Sequence, residues 1–442
     1  MKSSFLSALG LVSILFFSSC EQKHPYTGGT EGPKQVEVDP PTDPTPPYFI
    51  HLSDVHLDSF RVATDYGEDT GMELWGRAKS KLEEVLSADP APQFLVYTGD
   101  LPAHYDCGPT SCYLAPKDRE QHNTNISTIL NEMRDLVDDN GIPLLYMPGN
   151  NDALAGDYYS FADKDQNTPL SLVSDPEFPY PAINANTPCG DPPCMVSDPH
   201  PTMGYYSARP IDGLRIISLN SIILGRYYLP VDGVSQLEAG NQQLDWLEAQ
   251  LEDAAGQGEA VYIAMHIPPG NDAYAVSHDK TETWMWAKLP DTGDTWLDQF
   301  LGMPAKYDET IAGMLYGHTH MDELRRLYDP EDGSLTEVAI SAPGITPNHY
   351  NNPGFKTVWY DAESKELLDF ETFYSTPTAT EWGDASYKFS EIFDCPDGIS
   401  IYDCLAARSL KEVNEDMDSI YTVMHGAPSY DTESGIEVKA GE

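Results

Sequence analysis

The sequence predicts a layered α/β domain. Three observations carry that prediction. Strand-like and helix-like segments alternate from residue 48 to about residue 375. Polar residues of metal-ligand type follow strand after strand, as expected where an α/β sheet binds beyond the carboxyl ends of its strands. The composition, 40% hydrophobic and 11% aromatic over 442 residues, supports a sizeable core and excludes general disorder. At about 100–200 residues per domain the length is roughly two to four domains' worth of chain. Seventy-one Asp+Glu against 25 Lys+Arg leave a formal charge of −46. Such a surface repels phosphate polyanions, which excludes polymeric nucleic acid as a partner and disfavours docking on a strongly anionic membrane.

The first segment is a leader. Lys2 supplies positive charge, and residues 5–17 are mostly apolar, too short to span a bilayer and right for a signal-peptide core. Phe17-Ser18-Ser19-Cys20 resembles a bacterial lipobox, with Phe17 in place of the usual Leu. Residues 1–19 are therefore expected to be a signal peptide and Cys20 a lipidated mature N-terminus. That implies an exported bacterial lipoprotein, periplasmic or anchored at the outer membrane or cell surface. Residues 20–47 are polar and proline-rich, and read as an extended tether between lipid and domain.

The domain proper is expected over 48–375. Residues 48–52 read as a strand, 72–87 as a helix, 94–97 as a strand, 123–138 as a helix and 143–147 as a strand. Ile126, Ile129, Leu130, Met133 and Val137 give the second helix its spacing. The alternation continues with strands at 214–219 and 261–265 around a helix at 240–254, and with a strand at 311–316. Later β-like segments are 335–341, 355–360 and 367–374. Residues 153–210 are long, Pro-rich and irregular, and read as an insertion near the site. Residues 376–442, with helical stretches at 383–393 and 402–424, read as a small C-terminal helical appendage.

Seven cysteines are present, and six remain when Cys20 is set aside. They fall into three short loops, Cys107 to Cys112, Cys189 to Cys194 and Cys395 to Cys404, so an exported chain is expected to hold three local disulfides.

The chemistry lies at the strand ends. Asp54-x-His56 follows the first strand, Asp100 the second and Asn150 the third; His266 and His318-x-His320 follow two later ones. Five segments distant in sequence thus converge on one rim. Carboxylate and neutral imidazole suit zinc, iron or manganese. Seven donors exceed one tetrahedral ion and match two ions sharing a carboxylate. His51 faces the other way along its strand and reads as a packed residue beside the site.

Asp54-x-His56, Gly99-Asp100, Gly149-Asn150, His266 and Gly317-His318-x-His320 resemble the signature of the calcineurin-like metallophosphoesterases. Gly99-Asp100-Leu101-Pro102-Ala103-His104, His266-Ile267-Pro268-Pro269-Gly270, Gly317-His318-Thr319-His320-Met321-Asp322-Glu323 and Asn352-Pro353-Gly354-Phe355 are similar to the acid sphingomyelinase-like phosphodiesterases. The likeness covers about residues 46–375. It implies a four-layer α-β-β-α sandwich. It implies one metal held by Asp54, His56, Asp100 and His320, and a second by Asp100, Asn150, His266 and His318, with zinc as the expected ion. It implies hydrolysis of a phosphodiester, a phosphosphingolipid or nucleotide-like, by a water deprotonated between the two ions. His104 would help the leaving group depart. Where the family has His after the metal-binding Asn, this chain has Asn151, which donates hydrogen bonds but no proton. The run Gly149-Asn150-Asn151-Asp152 also resembles endopolyphosphatases, so a phosphoanhydride hydrolase is the alternative; a non-catalytic surface-binding lipoprotein is another. His349, Tyr350 and Trp284, with Trp286 and Tyr274, are candidate pocket residues.

Overall fold

The computed structural model describes residues 45–105, 116–173, 190–277, 280–289, 296–424 and 435–440. The leader, Cys20, Cys107, Cys112, Cys189 and most of the tether lie outside the described residues. The first strand, β1 (Tyr48–Leu52), sets the pattern. Tyr48, Ile50 and Leu52 point to one face and meet helices α1 (Met72–Leu86) and α2 (Pro116–Asn140). Phe49 points to the other face, into a layer shared with a second sheet. The period of two thus sorts one strand between two apolar layers.

Sheet one runs β13 (Ser386–Lys388), β12 (Leu367–Tyr374), β11 (Gly354–Tyr360), β1, β2 (Leu95–Tyr97) and β3 (Leu144–Tyr146). β1, β2 and β3 are parallel, and β11 pairs antiparallel to β1. Sheet two runs β14 (Gly435–Val438), β9 (Leu324–Tyr328), β10 (Leu335–Ser341), β8 (Ile311–Tyr316), β7 (Ala260–Ala264), β6 (Leu214–Ser218), β5 (Tyr205–Ile211) and β4 (Cys194–His200). Its central strands β6, β7, β8 and β10 are parallel. Their outer face packs on α3 (Gln236–Gln257) and α5 (Trp296–Lys306), and a short helix, α4 (Ala273–Ser277), lies between β7 and α5. Ser235 caps α3 by accepting from the Glu238 N–H, and Gly258 ends it in the left-handed conformation. Helix, sheet, sheet, helix is the expected four-layer order.

Several segments differ from expectation: α5 and β9 lie where no element was expected, and the expected helix at 402–424 is broken at 407–409. Residues 153–210 are not irregular throughout, because β4 and β5 form a hairpin that extends sheet two from β6. Register shifts interrupt both pairings, and that bulging breaks the alternation a sequence pattern depends on. At the C-terminus the expected helix at 383–393 begins only at Phe389, since Ser386–Lys388 is β13. Helices α6 (Phe389–Phe393), α7 (Ile401–Ala406) and α8 (Leu410–Met424) bury Phe389, Leu405, Met417 and Ile420 in the same core cluster as Phe49 and Val358. β14 then joins sheet two beside β9. Cys395 and Cys404 are disulfide-bonded. Cys194 is disulfide-bonded as well, and its expected partner Cys189 lies outside the described residues.

One polar group is built into the inter-sheet layer. Lys356 of β11 and Asp322, two residues after His320, are both fully buried and paired. Thr372 Oγ1 and Tyr387 Oη donate to the second oxygen of Asp322 at 2.8 and 2.5 Å. The pair ties the His318-x-His320 loop to sheet one. Lys356→Ala leaves a buried carboxylate uncompensated and is expected to destabilise the chain by about 3–5 kcal/mol. The double change Lys356→Met with Asp322→Leu should cost much less. Urea denaturation of the single and double variants checks this, and equal losses would refute it.

Candidate metal centre

The parallel strands of both sheets end on one rim. β1 delivers Asp54 and His56, β2 delivers Asp100, β3 delivers Asn150, β7 delivers His266 and β8 delivers His318 and His320. Asp54, His56, Asp100, His318 and His320 have positive φ, between 44° and 74°. Left-handed backbone costs a non-glycine residue about 1–2 kcal/mol. Five such residues at one rim mark a site the rest of the fold overdetermines. Two glycines of the motifs are needed for close approach. A Cβ on Gly149 would lie 2.1 Å from Asp100 Oδ1, and one on Gly317 would lie 1.9 Å from Ser53 Oγ.

The structure brings all seven expected donors together. Asp100 Oδ2 lies 3.2 Å from both His56 Nε2 and His266 Nε2. Asp54 Oδ1 lies 3.4 Å from His320 Nε2 and 3.7 Å from His56 Nε2. Asn150 Oδ1 is 3.0 Å from His266 Nε2. Asp54, His56 and Asp100 form one compact donor group and Asp100, His266 and His318 another, with Asp100 in both; His56, His104 and His320 form a third.

Outer partners set the direction of each donor. His56 Nδ1 donates to the Pro102 carbonyl at 3.0 Å, and His266 Nδ1 to the Thr98 carbonyl at 2.6 Å. A carbonyl can only accept, so both rings carry the proton on Nδ1 and turn Nε2 to the centre. Ser53 Oγ and the His318 N–H both donate to Asp54 Oδ2, at 2.5 and 2.9 Å, leaving Oδ1 free to ligate. Asp54 Oδ1 and His56 Nε2 are buried without a hydrogen bond. Orphaned atoms of that kind, in a set of carboxylate, imidazole and amide oxygen, fit divalent metal.

Charging His56 and His266 is opposed by burial, but the facing Asp100 carboxylate outweighs it, raising His56 well above its ordinary value and His266 to about 9. Burial works against ionising Asp100, but the imidazoles of His266 and His56 outweigh it and hold the carboxyl well below its usual range. Burial and the neighbouring His266 push His318 down to about 3, so its lone pairs are available. Burial drives His51 to about 3, and its Nε2 pairs with Thr98 Oγ1 at 3.2 Å, a packed residue beside the site.

Three further carboxylates brace the centre. Asp152 accepts from Leu101 N–H, Gly149 N–H and Tyr146 Oη at 2.6–2.7 Å, bracing the Asp100 and Asn150 loops together. Burial and the charge of Asp100 push it up to about 7. Asp157 accepts from Asn150 Nδ2 at 2.7 Å, which turns the Asn150 oxygen towards His266. Asp69 accepts from the His104 backbone N–H at 2.9 Å and from its ring Nδ1 at 2.7 Å, and Asn348 Nδ2 adds a third bond at 3.2 Å. Asp152 stood inside a motif run. Asp69 and Asp157 sit in acid-rich loops, where no spacing singles them out.

The centre opens into a cleft of about 500 Å³. His104 lies at its edge, stacked on His56 with centroids 3.9 Å apart. His349 stacks on His320 at 4.0 Å and, with Tyr350, lines the cleft. Trp284 does not line it: its ring lies under Lys288 Nζ, and the neighbouring Met285 takes the cleft position. Trp286 is buried against Phe300, and the side chain of Tyr274 lies outside the described residues. Asn151 is turned inward. Its backbone N–H and its Nδ2 both donate to Asp100, at 2.8 and 2.9 Å.

No protein-family profile matches the chain. It is similar to acid sphingomyelinase-like phosphodiesterases. It is 31% identical over 209 residues to a sphingomyelin phosphodiesterase of Bos taurus, covering 44% of this chain and 30% of that one. It is 34% identical over 180 residues to a cyclic GMP-AMP phosphodiesterase of Mus musculus, covering 39% and 37%. It is 28% identical over 319 residues to a sphingomyelinase phosphodiesterase D of Dictyostelium discoideum, covering 70% and 61%. The chain thus spans less than two thirds of the length of these relatives.

Asp157 gives a test of the outer shell. Asp157→Ala frees the Asn150 amide to rotate and is expected to weaken divalent-metal binding at the second position by about 10–100-fold. The first position should be unaffected. Metal titration followed by calorimetry reads both steps, and unchanged affinity at both would refute the role.

Proposed function

We propose that the chain is a metal-dependent phosphoric diester hydrolase with a dinuclear centre. One observation carries the reading: Asp54, His56 and Asp100 form one donor group and Asp100, His266 and His318 another, so that the two share Asp100, with Asp54 Oδ1 and His56 Nε2 left unbonded towards the centre. Asp54, His56, Asp100 and His320 would hold one ion; Asp100, Asn150, His266 and His318 would hold the other. Zinc suits this donor set in an exported protein. Two such ions clamp a phosphate and lower the pKa of a water beside it.

The chain's own groups supply the rest. His104, fixed by Asp69 and Asn348, stands beside His56 at the open edge, where it can give a proton to a departing oxygen. Asn151 is spent on Asp100 and donates no proton. That observation favours one second reading, hydrolysis of a phosphoanhydride, whose leaving group departs as a stable anion. The relatives include proteins named for sphingomyelin and for cyclic GMP-AMP. Both a phosphosphingolipid and a nucleotide-like diester suit this centre, and the cleft rim would decide between them. Export through the leader, lipidation at Cys20 and the pairs Cys107–Cys112 and Cys189–Cys194 complete the proposal. Among the described residues no helix is long and apolar enough to cross a membrane.

Elemental analysis of active protein should find two transition-metal ions per chain. Asp100→Asn should lose both and abolish turnover of a chromogenic phosphodiester. Full activity without metal, or in Asp100→Asn, refutes the mechanism, and a metal-loaded chain without turnover leaves a binding protein.

His104→Ala should cut kcat about 10²–10⁴-fold on diesters with alkoxide leaving groups. It should cut kcat far less on nitrophenyl esters, with metal content unchanged. Equal losses on both substrates refute a proton-donor role. A panel of sphingomyelin, nucleotides and polyphosphate then separates the substrate classes.

A further inference from the structure

β8 ends on the metal centre, and a second cavity lies at its start. It opens between the residues after α5, the β9–β10 turn, the β11–β12 turn and the first turn of α7. Its volume is about 410 Å³. Small-molecule sites span about 300–1,000 Å³. The cavity shares no residue with the catalytic cleft.

Five carboxylates line it: Asp308, Asp329, Asp332, Glu337 and Glu366. None of the lining residues is basic. Four of the five are exposed or half-buried, whereas Glu337 is only 7% exposed. Glu337 stands at the start of β10, where a register shift interrupts the pairing with β9. Bulges of that kind re-aim a side chain. Its Oε1 accepts from the N–H of its own neighbour, Val338, at 2.7 Å. Its Oε2 has no hydrogen-bond or ion-pair partner among the described residues, and the side chain lines the cavity. Burial pushes Glu337 up to about 8 against the Val338 N–H, and the charge of Glu366 adds to the push. An incoming cation would relieve that cost. Nothing in the proposed mechanism uses this carboxylate.

The rest of the lining narrows the class of cation. Ile311, Leu335, Leu367, Ile401 and Tyr402 also face the cavity. Tyr402 Oη donates to the Leu335 carbonyl at 2.7 Å, which fixes the ring beside the start of β10. A single metal ion needs its donors in one coordination sphere. Among the described residues, the groups of three or more carboxylate, imidazole or thiolate donors that close lie at the catalytic centre. The five carboxylates here are too spread for one ion, and apolar side chains stand among them. Spaced charges over apolar walls match an alkyl chain that carries several ammonium groups, and an aromatic ring favours ammonium further.

We propose that this cavity binds a linear polyamine, with one ammonium on Glu337 and the others on the carboxylates nearer solvent. The formal charge of −46 adds a long-range attraction for such a polycation. The site is separate from the metal centre and does not depend on the phosphodiesterase reading.

Calorimetric titration of the full chain with spermidine tests it. One saturable site should stand out from the diffuse binding that any acidic surface gives. Glu337→Gln keeps the shape of the side chain and removes its charge. It should weaken the site by about tenfold or more, as expected for a lost hydrogen bond between charged groups. Glu363→Gln removes a charge from the same β11–β12 turn without touching the cavity and should leave the site unchanged. Should the buried change impair folding, Asp332→Asn with Glu366→Gln, both exposed, should weaken the site by a similar factor. A linear octanediol, similar in length but uncharged, should not bind. Four outcomes overturn the proposal: no saturable site, the same loss in Glu363→Gln as in Glu337→Gln, octanediol binding as tightly as spermidine, or calcium chloride filling a site that Glu337→Gln removes, which assigns the cavity to a metal ion.

Discussion

A carboxylate that is 1% exposed must be compensated, and the site is organised around that constraint at Asp100. Burial disfavours the charge, so every group that reaches Asp100 is a donor or a cation in waiting. His56 and His266 face one oxygen from opposite sides, and Asn151 donates to both oxygens. Those partners come from the ends of β1, β7 and β3. A single side chain thus fixes the relative positions of strands from both sheets. Asp152 serves the same end from below, by accepting from the Asp100, Leu101 and Gly149 N–H groups together.

The same constraint explains the backbone. To turn seven donors inward within a few ångströms, the loops must leave their strands sharply. Five of the seven do so in left-handed conformations. Glycine stands before Asp100, Asn150 and His318, and at all three a Cβ would collide with the neighbouring loop. The strain is sustained because both sheets are packed on two faces, one on helices and one on each other. The buried Lys356–Asp322 pair closes the arrangement by binding the His318-x-His320 loop of sheet two to β11 of sheet one.

Asp54, His56, Asp100, Asn150, His266, His318 and His320 were legible because each directly follows an apolar strand, and strand ends of a parallel sheet share one rim. The long strands and helices were legible by period. The β4–β5 hairpin was not, because its pairing is bulged and β4, Cys-Met-Val-Ser-Asp-Pro-His, is a polar edge with a proline. β14 was not, since its partner β9 lies more than a hundred residues earlier and four residues carry little pattern. Asp69 and Asp157 were hidden for a different reason. They act on a ligand or a neighbour through tertiary contact, and in a chain with 71 acidic residues one more Asp in a loop carries no signal.

Asn151 shows how the two kinds of information combine. From sequence it is a departure, an amide where an imidazole is usual. In the structure that amide is not idle: it neutralises part of the Asp100 charge, a task a histidine would share with proton donation. An amide at this position leaves the β3 side of the centre without a proton source. The remaining non-ligand imidazoles in the cleft, His104 and His349, stand on the other side, stacked on His56 and His320. In the proposed mechanism leaving-group chemistry is then confined to the edge held by Asp69 and Asn348, so the asymmetry of the centre, rather than its donor set, would orient a phosphodiester with its departing oxygen towards that edge.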